Sequence, residues 1–466
     1  DLKDLRAAVD EAKANSTQPT IIKIRTTIGK GSMLEGTAAT HGAPLKPDDM
    51  AQAKKSWGMS LESFTVHDDV KEFYSKIAKS NDDKCAAWGE MFAAYKNANP
   101  EKAAELERRF SHKLPAAFDD ALPKFEYGKD KPLATRQYSR DCIGAIAPIV
   151  PELMGGSADL TPSNLTSIAC SGDFQKDTPE GRYLRFGVRE HGMAAICNGL
   201  FAYGGIRPFC ATFLNFAGYA LGSIRVSALS KFGVVYVMTH DSIGLGEDGP
   251  THQPVEMIES LRSMPNINVF RPADSNEMSM AYKIALESPE TPSVICCSRS
   301  GLPAIETSSV EKACKGAYTV VGEDISFAAT DLIIIGTGSE VGACIDAAKK
   351  LSDAGLKVRA VSMPCHELFL AQSIDYQKSV LPGNIPTLSV EASAEHGWHR
   401  FSHAQIGMTR FGMSAPGKEL FEKFGFSTEN VVEKGQALVD FYKEAGNVPD
   451  LMCRPIFNNI QGTLEH

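Results

Sequence analysis

At 466 residues the chain is too long for one hydrophobic core, and domains of roughly 100–200 residues predict two or three. Its composition is that of an ordinary globular protein, with 43% hydrophobic and 23% charged residues. A net charge of −9 argues against a duplex nucleic-acid binder, which needs a basic face, but leaves room for arginines that hold a small anion in a pocket. No apolar run approaches the ~18–20 residues of a membrane span, so neither nucleic acid nor membrane is expected as a partner.

The eleven cysteines stand singly except for Cys296-Cys297, and none forms a C-x-x-C unit. Free thiols in a reducing compartment are the expectation, ahead of disulfides or a zinc site. The chain opens on Asp1 without an initiating Met or a visible targeting peptide, so a natural start is expected to have been lost. Leu464-Glu465-His466 reads as the scar of a histidine tag.

In chain order, Leu2, Leu5, Ala8, Val9 and Ala12 recur at helical spacing, and after Pro19 the run Ile21-Ile22-Lys23-Ile24 reads as a short strand. Residues 67 to 113 read as helices with exposed charge. The stretch 114–132, with Pro115, Pro123, Gly128 and Pro132, reads as a linker on the surface. From Leu133 strands alternate with helices. Pro208–Phe213, Val234–Thr239, Ile267–Phe270 and Val294–Ser298 are the strands, and Ala217–Leu229 and Ser275–Leu286 are helices. Such alternation predicts an α/β fold with a mostly parallel, doubly wound sheet and ligand loops at its carboxyl edge. A second α/β pattern starts at Asp331, with strands at Leu332–Ile335 and Val358–Ser362. Between them Gly336-Thr337-Gly338-Ser339-Glu340 lacks the third glycine of a dinucleotide fingerprint and reads as a tight turn.

The most informative stretch runs from His240 to His252, after an apolar strand, and mixes imidazoles, acids and glycines. It suits a polar ligand held close to the backbone, and a histidine there can bond or exchange protons with hydroxyls. A solvated loop is the plainer alternative, and the spacing matches no common metal-ligand pattern. Glu190 heads an apolar helix, where it can cap the helix dipole or share a proton with a ligand nitrogen. Phe213, Phe216 and Tyr219 form a stripe that is either core or one wall of a slot for a flat ring. Arg136 and Arg299 can grip phosphate and Ser163 can add a hydroxyl, although isolated arginines are more often surface charges and the serine by itself is a polar turn residue.

Together the segments G-G-S-A-D-L-T-P-S-N, R-F-G-V-R-E-H-G-M, C-A-T-F-L-N-F and T-H-D-S-I-G-L-G-E-D-G-P-T-H-Q-P resemble the transketolase family, in its order and at about its spacing. T-T-I-G-K-G-S and H-G-A-P-L upstream extend the resemblance over essentially the whole chain, and residues 172–180 look most like plant and algal members. The resemblance implies a thiamine-diphosphate-binding fold plus a carboxyl-terminal α/β domain. Its divisions would be a remnant of the diphosphate-binding domain at 1–113, the linker at 114–132, a pyrimidine-binding domain at 133–310 and the carboxyl-terminal domain at 311–463.

It further implies transfer of a two-carbon ketol unit from a ketose phosphate such as xylulose 5-phosphate to ribose 5-phosphate or erythrose 4-phosphate, in the pentose phosphate pathway or Calvin cycle. Glu190 would hydrogen-bond the cofactor's pyrimidine. Phe213, Phe216 and Tyr219 would line its pocket, and Asp159 and His41 would approach it. His252 and His41 would lie near the reacting carbonyl, with Asp248 reading a donor hydroxyl. His240, Arg136, Arg299 and Ser163 would grip the sugar phosphate. A homodimer with sites between subunits is implied, in the plastid stroma or cytoplasm, the plastid being favoured.

One departure is large. The family holds the diphosphate and its Mg²⁺ or Ca²⁺ with a G-D-G motif, and this chain contains none. About two hundred further residues upstream are therefore expected, no metal ligand is assigned here, and these 466 residues alone are expected to bind cofactor weakly and turn over nothing. A scaffold subunit without catalysis, or a related thiamine-diphosphate two-carbon transferase, are the competing readings.

Overall fold

The computed structural model describes residues 1–129 and 131–453, and the suspected tag scar lies outside them. The chain divides into two units, Asp1–Asn99 and Pro100–His466.

In the first unit the predicted amino-terminal helix forms as Leu2–Ala14, capped by the Asp1 carboxylate, which accepts from the Lys3 amide at 2.8 Å. The strand predicted at Ile21–Ile24 does not form, and Ile21 is 95% exposed. An extended segment becomes a strand only when a neighbour pairs with it, and among the described residues this unit contains no other strand. Order is instead set by Asp49, buried near the head of helix Pro47–Ser56, which accepts from Ser32 Oγ and the Met33 amide, both at 2.7 Å. Helix Asp68–Ala98 follows and buries none of its side chains, although Trp88 and Phe92 stack on it at 5.1 Å.

The second unit holds two sheets. Strands β1 (Leu153–Ser157), β2 (Tyr183–Arg185), β3 (Arg207–Phe213), β4 (Val235–Thr239), β5 (Asn268–Phe270) and β6 (Ser293–Cys297) form a parallel sheet ordered β2-β1-β3-β4-β6-β5. Strands β7 (Tyr318–Val321), β8 (Leu332–Gly336), β9 (Val358–Ser362), β10 (Thr387–Ala394) and β11 (Ala404–Met408) form the other, ordered β11-β10-β8-β9-β7, with only β7 antiparallel. The central strands are buried on both faces, as apolar runs such as Val-Tyr-Val-Met and Leu-Ile-Ile-Ile require. One apolar core runs from Tyr138 and Ile143, through Val237 and Ile295, to Ile334, Val390 and Val439, so the two sheets share it.

The stretch read as a linker on the surface is anchored there. It carries a short helix, Phe118–Ala121, and its Phe118 and Leu122 are 3% and 6% exposed. Before it, Arg108 makes paired bonds of 2.7 and 2.9 Å to Glu152, which is buried. All eleven cysteines are free thiols. Among the described residues no helix is long and apolar enough to cross a membrane.

Candidate functional site

Register places the site. Phe213 at the end of β3 pairs with Thr239 at the end of β4, and Thr239 with Cys297 at the end of β6. Three loops therefore leave the carboxyl edge side by side, where open α/β sheets bind ligands.

The loop after β4 begins at His240, which is 3% exposed and has a backbone φ of +59°, a left-handed conformation uncommon for residues other than glycine. Its ring stacks on Phe213 with centroids 3.7 Å apart. Phe213 stacks on Phe216 at 5.9 Å, Phe216 meets Tyr219 at 6.1 Å, and His252 presents its edge to Phe216 at 5.1 Å. The aromatic stripe and the two histidines thus form one wall. Tyr219 is 70% exposed, so the wall is open to a ligand rather than sealed as core.

A relay of polar groups sets the state of His240. Thr239 Oγ1 donates to Asn164 Oδ1 at 2.6 Å, and Asn164 Nδ2 donates to Ser157 Oγ at 2.7 Å. With its only proton used, the threonine can but accept from His240 Nδ1 at 2.7 Å. Nε2 is then left as a bare acceptor. Burial, followed by the charges of Arg136 and Arg299 and by His252, lowers the imidazole pKa to about 3, so the ring is neutral.

The two arginines are 163 positions apart and are brought together by a staple. The Thr135 amide donates to Ser298 Oγ at 3.0 Å and the Ser298 amide to Thr135 Oγ1 at 2.7 Å, so the residues that follow each lie side by side. Arg136 Nη1 donates to the Ser163 carbonyl and Arg299 Nη1 to the Leu245 carbonyl, each at 2.7 Å. Neither guanidinium pairs with a carboxylate among the described residues, and Arg136 Nε is buried without a partner. Burial and the Arg299 charge push the Arg136 pKa down. Two adjacent cations without counter-ions form an anion site in waiting.

Glu190 is the first residue of helix Glu190–Tyr203, half-buried, and its carboxylate is paired with nothing among the described residues. That helix packs on Ala217–Leu229, which carries Tyr219, through Asn198 Nδ2 donating to the Ser223 carbonyl at 2.9 Å and through His191 against Ser223 Oγ at 3.2 Å. Asp159 follows β1 at a φ of +59° and is exposed, as is Asp248 in the loop after β4. His41 belongs to the first unit, where it closes the turn Ala38–Thr40.

Two features escaped the sequence reading. Asp241 does not face a ligand, since it is 2% exposed and bonded to Arg271 Nε at 2.9 Å. The loop after β4 is also braced from the second sheet's side. Gln253 Nε2 donates to the carbonyls of Gly246 and Met413 at 2.8 and 2.9 Å, and Gly249 faces the Ser414 hydroxyl so closely that a Cβ would sit 2.3 Å from it. No local pattern announces such contacts, because the partners lie far along the chain.

Comparison with known proteins agrees with this arrangement. Three family profiles match in succession: "Transketolase, thiamine diphosphate binding domain" over residues 1–115, "Transketolase, pyrimidine binding domain" over 131–304 and "Transketolase-like TK C-terminal domain" over 316–427. A transketolase of Scheffersomyces stipitis is 48% identical over 450 residues, covering 95% of this chain and 66% of the relative. The chloroplastic Transketolase-1 of Arabidopsis thaliana is 46% identical over 441 residues, covering 93% and 59%. The crystal structure of a Pichia stipitis transketolase in complex with sedoheptulose-7-phosphate superposes with a TM-score of 0.91 at 47% identity, covering 98% of this chain and 68% of that one. The chain belongs to the transketolase family. It spans a little under two thirds of the length of the curated relatives it matches. The fungal and plant identities are nearly level, so they favour neither source.

Proposed function

We propose that this chain carries the pyrimidine side of a transketolase active site. The full-length protein would move a two-carbon ketol group reversibly from a ketose phosphate such as xylulose 5-phosphate to ribose 5-phosphate or erythrose 4-phosphate. The observation that carries the reading is the uncompensated pair Arg136 and Arg299 near His240, at the same sheet edge as an open aromatic wall. The pair and the Ser163 hydroxyl suit a sugar phosphate. Support comes also from the bound sugar phosphate in the Pichia stipitis relative.

The residues fit one half of thiamine diphosphate. Phe213, Phe216 and Tyr219 offer flat faces to a pyrimidine, and unpaired Glu190 can hold a proton at a ring nitrogen. When bound, the cofactor supplies the nucleophilic carbon and the electron sink for breaking a carbon–carbon bond beside a carbonyl. The protein's part is to orient and to manage protons. Neutral His240 accepts from a hydroxyl, His252 lies along the wall near the reacting end, and Asp248 reads a donor hydroxyl. Mg²⁺ or Ca²⁺ would be held with the diphosphate by residues other than those of this site.

A homodimer with its sites between subunits is part of the proposal. Val188, Tyr203, Tyr219 and Leu229, at or along the helices that carry Glu190 and the wall, are 70–80% exposed, an apolar face suited to a second copy.

The test is conversion of xylulose 5-phosphate and ribose 5-phosphate by the full-length protein with thiamine diphosphate and Mg²⁺. Absence of turnover refutes the function. E190A is expected to lower kcat by roughly 10²–10⁴-fold, the usual range for a proton-handling group, while light scattering shows the same oligomer. Undiminished kcat refutes that role.

A further inference from the structure

The loop that starts at His240 is tied to a buried ionic cluster that the reaction chemistry does not use. Arg271, just beyond β5, is fully buried and distributes its donors over both sheets. Its Nε holds Asp241 at 2.9 Å, its Nη1 bonds Glu340 and the Thr337 carbonyl, and its Nη2 reaches Ser339 Oγ at 3.1 Å. Glu391 of β10 lies 3.5 Å from the same guanidinium and also takes Arg262 at 2.7 and 3.1 Å and Trp398 Nε1 at 2.7 Å. Glu340 is fixed in turn by the Ala392 amide at 2.9 Å. The turn Gly336–Glu340 is thus a socket for this arginine. Gly338, at a φ of +55°, has no room for a side chain, since a Cβ would lie 2.7 Å from Arg271 Cγ.

His240 stands between two anchors. On one side is the relay through Thr239 and Asn164, and on the other is Asp241 in the grasp of Arg271. A left-handed backbone at a residue with a full side chain persists only where its surroundings over-determine it. Without the second anchor the loop is free to relax to an ordinary backbone and carry the imidazole off Phe213.

We propose that Arg271 is a positioning residue for the phosphate grip: through Asp241 it holds His240 in register with Arg136 and Arg299, and through Glu340 and Glu391 it makes the second sheet part of that support. The inference rests on the proposed sugar-phosphate reading. A cluster serving only as glue between the sheets would lower stability and treat all substrates alike.

The test uses the full-length enzyme with thiamine diphosphate and Mg²⁺, once the parent protein has been shown to turn over, so that failure of the function and failure of this inference are separate results. KM is measured for xylulose 5-phosphate and for an unphosphorylated ketose donor. D241A is expected to raise the first about tenfold or more and the second less than twofold, as slight misplacement of a gripping group does. D241N, which keeps an oxygen for Arg271 Nε, is expected to recover most of the loss. E340Q, which weakens the socket from the other sheet, should show the same selective rise in smaller measure, and it serves as the deciding variant if D241A does not fold. Equal changes for both donors, or an unchanged KM ratio beside a lowered melting temperature, overturn the proposal. So does a D241N no better than D241A.

Discussion

The protonation state of His240 can be measured directly. Its pKa falls from the ordinary 6.5 to about 3, chiefly through burial and then through Arg136 and Arg299. At 1.36 kcal/mol for each tenfold change in proton affinity, forming the imidazolium inside the fold costs about 5 kcal/mol more than in water. Because the folded value is depressed, the neutral ring's contribution to stability is complete above pH 6.5 and is lost as the pH falls toward 3. With ¹³C-labelled histidine, NMR titration should show the His240 signal unchanged from pH 8 to pH 5, with the shifts of an Nδ1-protonated tautomer. Substituting R299Q removes a secondary cause only, so it should raise the pKa and leave it below 6.5. Inorganic phosphate bound between the arginines should act in the same direction, because its charge offsets theirs. A His240 that titrates near 6.5 in the unliganded protein refutes the burial argument, and an Nε2-protonated tautomer refutes the relay through Thr239.

Two other perturbations address a brace of the loop after β4 and a buried carboxyl group elsewhere in the second unit. G249A places a Cβ on a residue with a φ of +76° and 2.3 Å from Ser414 Oγ. The left-handed backbone alone costs roughly 1–2 kcal/mol, so scanning calorimetry should show a melting temperature lower by a few degrees, and an unchanged one refutes the close contact. Glu277 is fully buried, and burial and then the Asp274 charge raise its pKa from 4.5 to about 7. The folded value exceeds the unfolded one, so stability from this group is complete below pH 4.5 and is lost as the pH rises through 7, by up to about 3 kcal/mol. E277Q keeps an acceptor for the Ala273 amide, and the hydroxyls of Tyr318 and Ser362 can turn to accept from the new amide. It should be more stable than the parent to urea at pH 8 and equal to it near pH 4.5. A Gln variant no more stable at pH 8 contradicts the assignment.

What the sequence revealed follows from the range of each interaction. Helix Ala217–Leu229 and strand Val358–Ser362 form with the predicted bounds, because their apolar runs decide them locally. Strand β1 went unread because Leu-Met-Gly-Gly-Ser carries weak strand propensity. Its glycines are demanded by tertiary packing, since a Cβ on Gly155 would lie 1.9 Å from the Phe209 carbonyl. Conversely, Ile21–Ile24 has strand composition and lacks a strand to pair with in its unit. Within the site, the loop after β4 was legible from its polar residues following an apolar strand. The meeting of Arg136 with Arg299, and of Asp241 with Arg271, is a matter of topology, which brings partners 163 and 30 residues apart to one sheet edge.

The socket around Arg271 bears on how the chain is made. Arg271 and Asp241 leave the ribosome well before their remaining partners, and Glu391 follows Arg271 by 120 residues. At about 5–20 residues per second that interval is roughly 6–24 s. During it the first sheet can pair its strands, but it holds an arginine whose other carboxylates have yet to be translated. Closing the core at that stage would strand the charge in an apolar interior. The nascent first sheet must therefore keep this corner hydrated until β8 and β10 arrive, and full bracing of the loop at His240 waits on their synthesis.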